Sequence, residues 1–432
     1  MTDRGSSRLL VCYVPGLDTR KVAAGLCPHV EEMMQSYPVV RFTSPPAAHR
    51  LASLLTGAYP HEHGFWGPRL RSGWRERTAR QQMVDLLPDV VTTTAQCVQH
   101  VVNGPVELAT IPPRRRRKFE WMRFTMKHEK NVQRLFSMFR HVPTILQVVG
   151  EERARYVYCE RWSESDGLLE NLGEGSHRLE LVDFHCLDRV QHWYVPEDDR
   201  VAEAYRRVDA FVEALHAKCR GNGVQFVVTS DHGMEPVKRH LDLRAKLAAA
   251  GVPRADYDLF VENVRCTFWF HTAEARQKLT DLLQACDDGV LVKNDELAQY
   301  GVRFQDDAYG HAYFYVHPGI SLFPNDFHQT VASFYLGLRD PQQRRRMVAP
   351  YHVADHGYLP HHECEIGFVV VADDRYHAPA ESVHLIDLAP TFLELLGCAK
   401  PPTMRGTSAF SLATEPLRQG SEQWVAGAGA AS

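Results

Sequence analysis

Long apolar segments are absent from this sequence of 432 residues. The longest apolar runs, Leu9–Pro15 and Ile366–Ala372, are far shorter than the roughly 20 residues that a transmembrane helix requires. The segment Met1–Arg8 carries three charged residues and precedes only about seven apolar residues, which makes it a poor signal peptide. We therefore expect a cytoplasmic protein that does not span a membrane.

Paired cysteines and an excess of one charge are also missing. The ten cysteines form no Cys-x-x-Cys pair, so we expect reduced thiols in a cytosolic protein. With 49 Lys and Arg residues against 53 Asp and Glu residues the net charge is −4, whereas a dedicated nucleic-acid-binding protein is normally basic. The 28 glycines and 25 prolines are an ordinary share, which excludes collagen-like and low-complexity chains.

Apolar residues make up 44% of the chain and are arranged as alternating strands and helices. Apolar runs typical of strands buried on both faces occur at Leu9–Val14, Val224–Thr229 and Gly367–Val371, and Leu179–Phe184 is a shorter candidate strand. Apolar residues at helical spacing predict helices over Arg200–Cys219 and Leu385–Leu396. This alternation predicts an α/β fold with a central, mostly parallel sheet sandwiched by helices.

Two stretches interrupt this pattern and predict insertions. We expect a metal-binding α/β core formed by residues 1–105, 161–240 and 346–415. A basic helical insertion would occupy residues 106–160, and an α+β cap insertion residues 241–345. Residues 416–432 are small and polar and predict a disordered tail.

Carboxylate and imidazole side chains lie just after or just before the predicted strands, at the sheet edge where open α/β proteins bind ligands. They are Asp18, the pair Asp188 and His192 four residues apart, the pair Asp231 and His232, and His356. Taken alone, each pattern is also compatible with an ordinary turn or an exposed pair. Together they supply three carboxylates and three histidines without a thiolate, which suits two divalent cations such as zinc or manganese. Such a site favours phosphate esters.

These motifs, in this order, resemble the alkaline phosphatase superfamily, and most closely its type I phosphodiesterase/nucleotide pyrophosphatase branch. The resemblance is carried by the segment Leu54–Gly64 (LLTGAYPHEHG), by Ser230–Met234 (SDHGM) and by the late helix with its stop at Asp387–Gly397. It extends over residues 9–105, 179–240 and 346–410. It implies one cation held by Asp188, His192 and His356, and a second held by Asp18, Asp231 and His232.

The sequence departs from the family at the nucleophile. The resemblance places a Ser, Thr or modified Cys about nine residues before Thr56, and Ala47 occupies that position. The nearest hydroxyls belong to Thr43 and Ser44, and Ser44 followed by Pro45 has the pattern of a helix N-cap. The nucleophile is therefore Ser44 or Thr43, or it has been lost. A sulfatase is disfavoured because its characteristic cysteine is absent.

We thus predict a two-metal hydrolase of phosphate esters, of the phosphodiesterase or nucleotide pyrophosphatase type, that acts on a small phosphate ester or nucleotide-type substrate. One alternative is a metal-binding relative that does not hydrolyse its ligand. Another is a phosphomonoesterase or phosphotransferase on the same scaffold, because this chemistry can change with the cap while the core is kept.

Overall fold

The computed structural model describes residues 7–47, 50–67, 69–71, 119–121, 142–328, 330–339, 352–378 and 382–412, with isolated residues between 83 and 98 and between 344 and 350. The basic run Arg114–Lys118, most of the predicted basic insertion and the predicted tail lie outside these residues. Within the described part of the chain, no helix is long and apolar enough to cross a membrane.

A seven-stranded sheet forms the centre of the fold, in the order β18-β2-β16-β7-β1-β6-β5. Its strands are β1 (Leu9–Tyr13), β2 (Val39–Thr43), β5 (Ala154–Cys159), β6 (Leu179–Phe184), β7 (Gln225–Ser230), β16 (Gly367–Val371) and β18 (Val383–His384). All neighbouring pairs are parallel except that β16 runs antiparallel to both β2 and β7. The expected α/β fold with a mostly parallel sheet is therefore confirmed.

Helices cover both faces of this sheet. The α-helices of the described residues, in the core and in the cap, are α1 (Thr19–Lys21), α2 (Pro28–Ser36), α3 (Arg50–Thr56), α4 (Pro60–His63), α5 (Ile145–Val149), α6 (Trp162–Asn171), α7 (Cys186–Trp193), α8 (Asp199–Gly221), α9 (Leu243–Ala249), α10 (Ala273–Gln284), α11 (Thr330–Arg339) and α12 (Leu388–Leu395). Strand β1 shows why the runs are continuous: Leu9 and Val11 pack into one core, whereas Leu10 and Cys12 pack into the other. The described residues also form short 3-10 helices at Asp295–Tyr300, Glu363–Glu365 and Leu385–Asp387, and a π-helical turn at Val22–Leu26.

The predicted cap region contains a second sheet with its own core. Four antiparallel strands lie in the order β10-β11-β13-β12: β10 (Tyr257–Val261), β11 (Arg265–Phe270), β12 (Gly289–Lys293) and β13 (Ala312–Val316). Apolar residues of α9 and α10, including Leu247 and Leu279, pack against it. The remaining strands form two-stranded pairs: β3 (Arg69–Arg71) with β4 (Phe119–Trp121), β8 (Glu235–Pro236) with β15 (Ala354–Asp355), β9 (Arg239–Leu241) with β14 (Ile320–Leu322), and β17 (Tyr376–His377) with β19 (Ser411–Leu412).

One boundary differs from the expectation. Strand β5 lies within residues 106–160, which the sequence analysis assigned to an insertion, but it pairs in parallel with β6 at the edge of the central sheet. Residues 154–159 therefore belong to the core.

Candidate active site

A cavity of about 350 Å³ opens at the edge of the central sheet where the parallel strands β1, β6 and β7 end. We call it the strand-end cavity. The loop before β16 reaches the same edge because β16 runs in the opposite direction. Five of the six predicted metal ligands line this cavity: Asp188, His192, Asp231, His232 and His356.

Asp188 lies at the centre of this group. Helix α7 begins shortly after β6 and places Asp188 and His192 one turn apart, so that their side chains share one face. The Nε2 atom of His192 lies 3.6 Å from Asp188 Oδ1, and the Nε2 atom of His356 lies 3.4 Å from the same oxygen. Ligand atoms of Asp188, His232 and His356 all lie within 4.8 Å of one another.

The imidazole rings are held in orientations that leave Nε2 for a ligand. His192 donates from Nδ1 to the Ala354 carbonyl at 2.9 Å, and His232 donates from Nδ1 to the Gly233 carbonyl at 2.8 Å. Such contacts fix the tautomer of metal-binding histidines. The rings of His232 and His356 stack at 3.6 Å with an angle of 9°.

The electrostatics of the histidines follow from burial and from the nearby carboxylates. Burial lowers the pKa of His232 to about 3, and burial with the neighbouring histidines lowers the pKa of His356 well below its usual value. These two rings are therefore neutral at physiological pH, as a metal ligand must be. Burial alone would lower the pKa of His192 too, but Asp188 and Asp355 raise it to about 9.

Buried polar atoms at this site fit a cation. Asp188 Oδ1 and Asp231 Oδ1 are buried and have no hydrogen-bond partner among the described residues. An unsatisfied buried carboxylate oxygen is costly, and a bound cation removes that cost. Carboxylates and neutral imidazoles without a thiolate are the donors that zinc and manganese accept.

Asp18, the sixth predicted ligand, is not among the residues that line the cavity; Pro15 is. The Asp18 carboxylate caps α1, binds the Arg20 guanidinium at 2.6 Å and accepts a hydrogen bond from the Met234 backbone N–H at 3.3 Å. It packs so closely against Gly233 that a Cβ there would lie 2.3 Å from Asp18 Oδ2. Its role as a ligand stays a prediction that no contact in the structure supports.

Replacing Asp18 by alanine should lower stability and leave metal content unchanged. The variant loses a helix cap and the partner of Arg20, a loss of about 1–2 kcal/mol in the free energy of unfolding. Urea unfolding and metal analysis of the purified protein check both parts. A loss of bound metal with a normal unfolding curve would restore Asp18 as a ligand.

Neither predicted nucleophile lines the cavity. Thr43 Oγ1 hydrogen-bonds with His384 Nδ1 at 2.8 Å, at the pairing of β2 with β18. Ser44 is 4% exposed, and its hydroxyl has no hydrogen-bond partner among the described residues. Pro46 and Ala47 form the wall instead, and the described residues of the cavity include no serine, threonine or cysteine.

Several residues of the cavity were not anticipated from the sequence. The Arg50 guanidinium is buried, donates to the Asp231 carbonyl at 2.7 Å and pairs with Glu365. Glu365 Oε1 accepts from the backbone N–H groups of Gly357 and Tyr358, at 2.7 and 2.9 Å. This buried ion pair therefore joins the loop after β7 to the loop that carries His356. The sequence gives little indication that Arg50 is buried, because a single Arg on a helix is usually exposed.

The cap also reaches the cavity. Arg265 of β11 binds Glu262 and donates to the Pro46 carbonyl at 3.1 Å, and the Tyr315 hydroxyl donates to that same carbonyl at 2.7 Å. Asn263 donates to Asp355 at 3.1 Å, and Asp355 accepts from His352 Nδ1 at 2.7 Å. Side chains of the cap therefore hold the wall that contains Ala47.

The fold and this site define a class: phosphoric ester hydrolases with the alkaline phosphatase type of α/β core. The sequence profile of the type I phosphodiesterase/nucleotide pyrophosphatase family matches residues 27–363. The chain therefore belongs to this family, and the predicted resemblance and the hydrolase class are confirmed. A search of curated proteins finds no match.

Solved structures share the fold at low sequence identity. Human ectonucleotide pyrophosphatase/phosphodiesterase 5 is 12% identical with a TM-score of 0.60, and the match covers 93% of this chain and 97% of that one. The murine form is 12% identical with a TM-score of 0.58, over 92% and 96%. Phosphonoacetate hydrolase from Sinorhizobium meliloti, solved with phosphonoformate, is 14% identical with a TM-score of 0.58, over 91% and 96%.

Proposed function

We propose that this chain hydrolyses phosphodiester or pyrophosphate bonds of a small, nucleotide-type substrate with the help of a divalent cation, zinc or manganese. Asp188, His232 and His356 would hold the cation, with Asp231 beside it, while the role of His192 as a further ligand stays a prediction. The observation that carries the proposal is that ligand atoms of Asp188, His232 and His356 lie within 4.8 Å of one another, while the buried Oδ1 of Asp188 has no hydrogen-bond partner among the described residues. A structure of the murine relative contains AMP, which supports a nucleotide-type substrate.

A cation bound there would polarise a phosphoryl oxygen and lower the pKa of a water molecule. The residues of the chain supply the rest. Asp355 and the Ala354 carbonyl keep His192 in place, and Arg50 holds the Asp231 backbone. A second cation on Asp231 and His232, as the resemblance implies, stays a prediction, because Asp18 lies outside the cavity lining.

Water, rather than a side chain, is the nucleophile in this proposal. Ala47, which occupies the position where the family resemblance expects the nucleophile, has no reactive group. The described residues that line the cavity offer no hydroxyl other than those of Tyr13 and Tyr158. Both phenols have a pKa raised well above the usual value by burial and nearby carboxylates, so they are poor nucleophiles.

Turnover of bis-p-nitrophenyl phosphate by the purified chain tests the proposal. We expect release of nitrophenol that requires zinc or manganese and stops on addition of a chelator. Thr43→Ala and Ser44→Ala should both retain turnover, whereas loss of a true nucleophile costs roughly 10³-fold or more. A folded, metal-loaded Ser44→Ala or Thr43→Ala variant without activity would instead identify that hydroxyl as the nucleophile.

A metal-binding relative without hydrolytic activity is the second candidate, and Ala47 in the cavity wall is the observation that favours it. Bound metal together with no turnover of either diesters or p-nitrophenyl phosphate would select it. Turnover of p-nitrophenyl phosphate alone would indicate a phosphomonoesterase.

A further inference from the structure

A histidine–carboxylate pair that belongs to none of the predicted ligand motifs lies in the strand-end cavity. Asp183 is a residue of β6, and His185 follows the strand as the N-cap residue of α7. His185 Nδ1 donates to Asp183 Oδ1 at 2.7 Å. The Tyr156 hydroxyl donates to the other carboxylate oxygen of Asp183 at 2.6 Å.

The contact with Asp183 occupies one ring nitrogen of His185 and leaves the other nitrogen available. Asp183 is 1% exposed, so its carboxylate is held inside the sheet edge by Tyr156 and His185. The His185 side chain is 33% exposed and lines the same cavity as Asp188 and Asp231. With Nδ1 engaged by Asp183, Nε2 is the ring nitrogen left to meet a substrate.

The raised pKa of His185 agrees with its hydrogen bond to the Asp183 carboxylate. Burial alone would lower the pKa of His185, but the charge and hydrogen bond of Asp183, together with the charges of Asp188 and Asp231, raise that pKa to about 9. An imidazole held by a buried carboxylate keeps its orientation and its proton, which is the arrangement that proton-transfer catalysis uses.

We propose that His185 donates a proton from Nε2 to the leaving-group oxygen of the substrate, with Asp183 as its positioning residue. This inference rests on the proposed hydrolytic function. The oxygen of water forms a bond to phosphorus, and the bond from phosphorus to the leaving oxygen breaks. The electron pair of that bond stays on the leaving oxygen, which takes the proton of His185. One proton of the attacking water passes to solvent, the other stays on the oxygen now bonded to phosphorus, and His185 is protonated again from solvent.

The test compares two diesters that differ in leaving group, with the full-length, metal-loaded protein. Diphenyl phosphate has a poor leaving group that needs protonation, whereas bis-p-nitrophenyl phosphate has a good one that does not. His185→Gln should lower kcat/KM for diphenyl phosphate by about 10²–10³-fold. Its effect on bis-p-nitrophenyl phosphate should be much smaller. Asp183→Asn should show the same selectivity with a smaller loss.

His240→Gln is the matched control, because His240 is exposed on β9 and outside the cavity, and it should leave both rates unchanged. Equal losses on both diesters in His185→Gln, or a loss of bound metal, would overturn the role of His185 while the hydrolase activity of the wild-type chain stands. A wild-type chain that hydrolyses no ester would overturn the proposed function and this inference together.

Discussion

Replacing Asp188 by alanine should abolish metal-dependent turnover and remove the bound cation. The Nε2 atoms of His192 and His356 lie 3.6 and 3.4 Å from Asp188 Oδ1, and Asp188 is the carboxylate of the group that it forms with His232 and His356. Loss of a residue that merely supports a metal ligand typically costs 10–100-fold in affinity or activity, so loss of the central ligand should cost more than about 100-fold. Elemental analysis of the purified variant and turnover of bis-p-nitrophenyl phosphate measure the two effects.

Asp281→Ala provides the control for that experiment. Asp281 is exposed on α10, away from the strand-end cavity, and its loss should change neither metal content nor turnover. Thermal unfolding followed by circular dichroism verifies that both variants are folded. Full metal content and activity in Asp188→Ala would place the cation elsewhere.

Glu365→Ala should produce the largest loss of stability among these variants. Its carboxylate is completely buried, pairs with the Arg50 guanidinium and accepts two backbone N–H groups of the loop after His356. Removing one partner leaves the guanidinium buried without a counter-charge, which costs about 3–5 kcal/mol in the free energy of unfolding. Urea unfolding at constant metal concentration measures this loss.

The matched comparison is the double variant Arg50→Met with Glu365→Met. Replacing both charges by apolar groups of similar length removes the unpaired charge, so we expect the double variant to be more stable than Glu365→Ala. Its metal affinity should still be reduced, because the two ligand loops are no longer joined. Equal unfolding curves for Glu365→Ala and the wild type would show that the pair does not hold the site together.

The sequence predicted the central strands well because their physical signal is strong. Strands buried on both faces, such as Leu9–Tyr13, need continuous apolar runs, and few other structures do. Strand β5, with the sequence ARYVYC, was missed because it lies in the stretch that the sequence analysis assigned to the basic insertion. The antiparallel direction of β16 could not be predicted, because an apolar run has no direction.

The site was predicted at the level of loops rather than of individual atoms. Asp188, His192, Asp231, His232 and His356 meet because each follows or precedes a strand at one edge of the sheet. The position of a loop at this edge also predicts that the loop after β1 reaches the cavity, but it does not predict which residue does. Pro15 lines the cavity, whereas Asp18 pairs with Arg20. Asp183 and His185 carried the same strand-end signal but match no spacing that is typical of metal ligands.

Crystals grown with zinc or manganese and measured by anomalous diffraction at the metal edge would test the proposed site. We expect a cation bonded to Asp188 and to the Nε2 atoms of His232 and His356, with zinc–nitrogen distances of about 2.0–2.1 Å. We also expect no cation bonded to Asp18. A cation bound to Asp18, or a strand-end cavity without a cation at saturating metal, would contradict the proposed site.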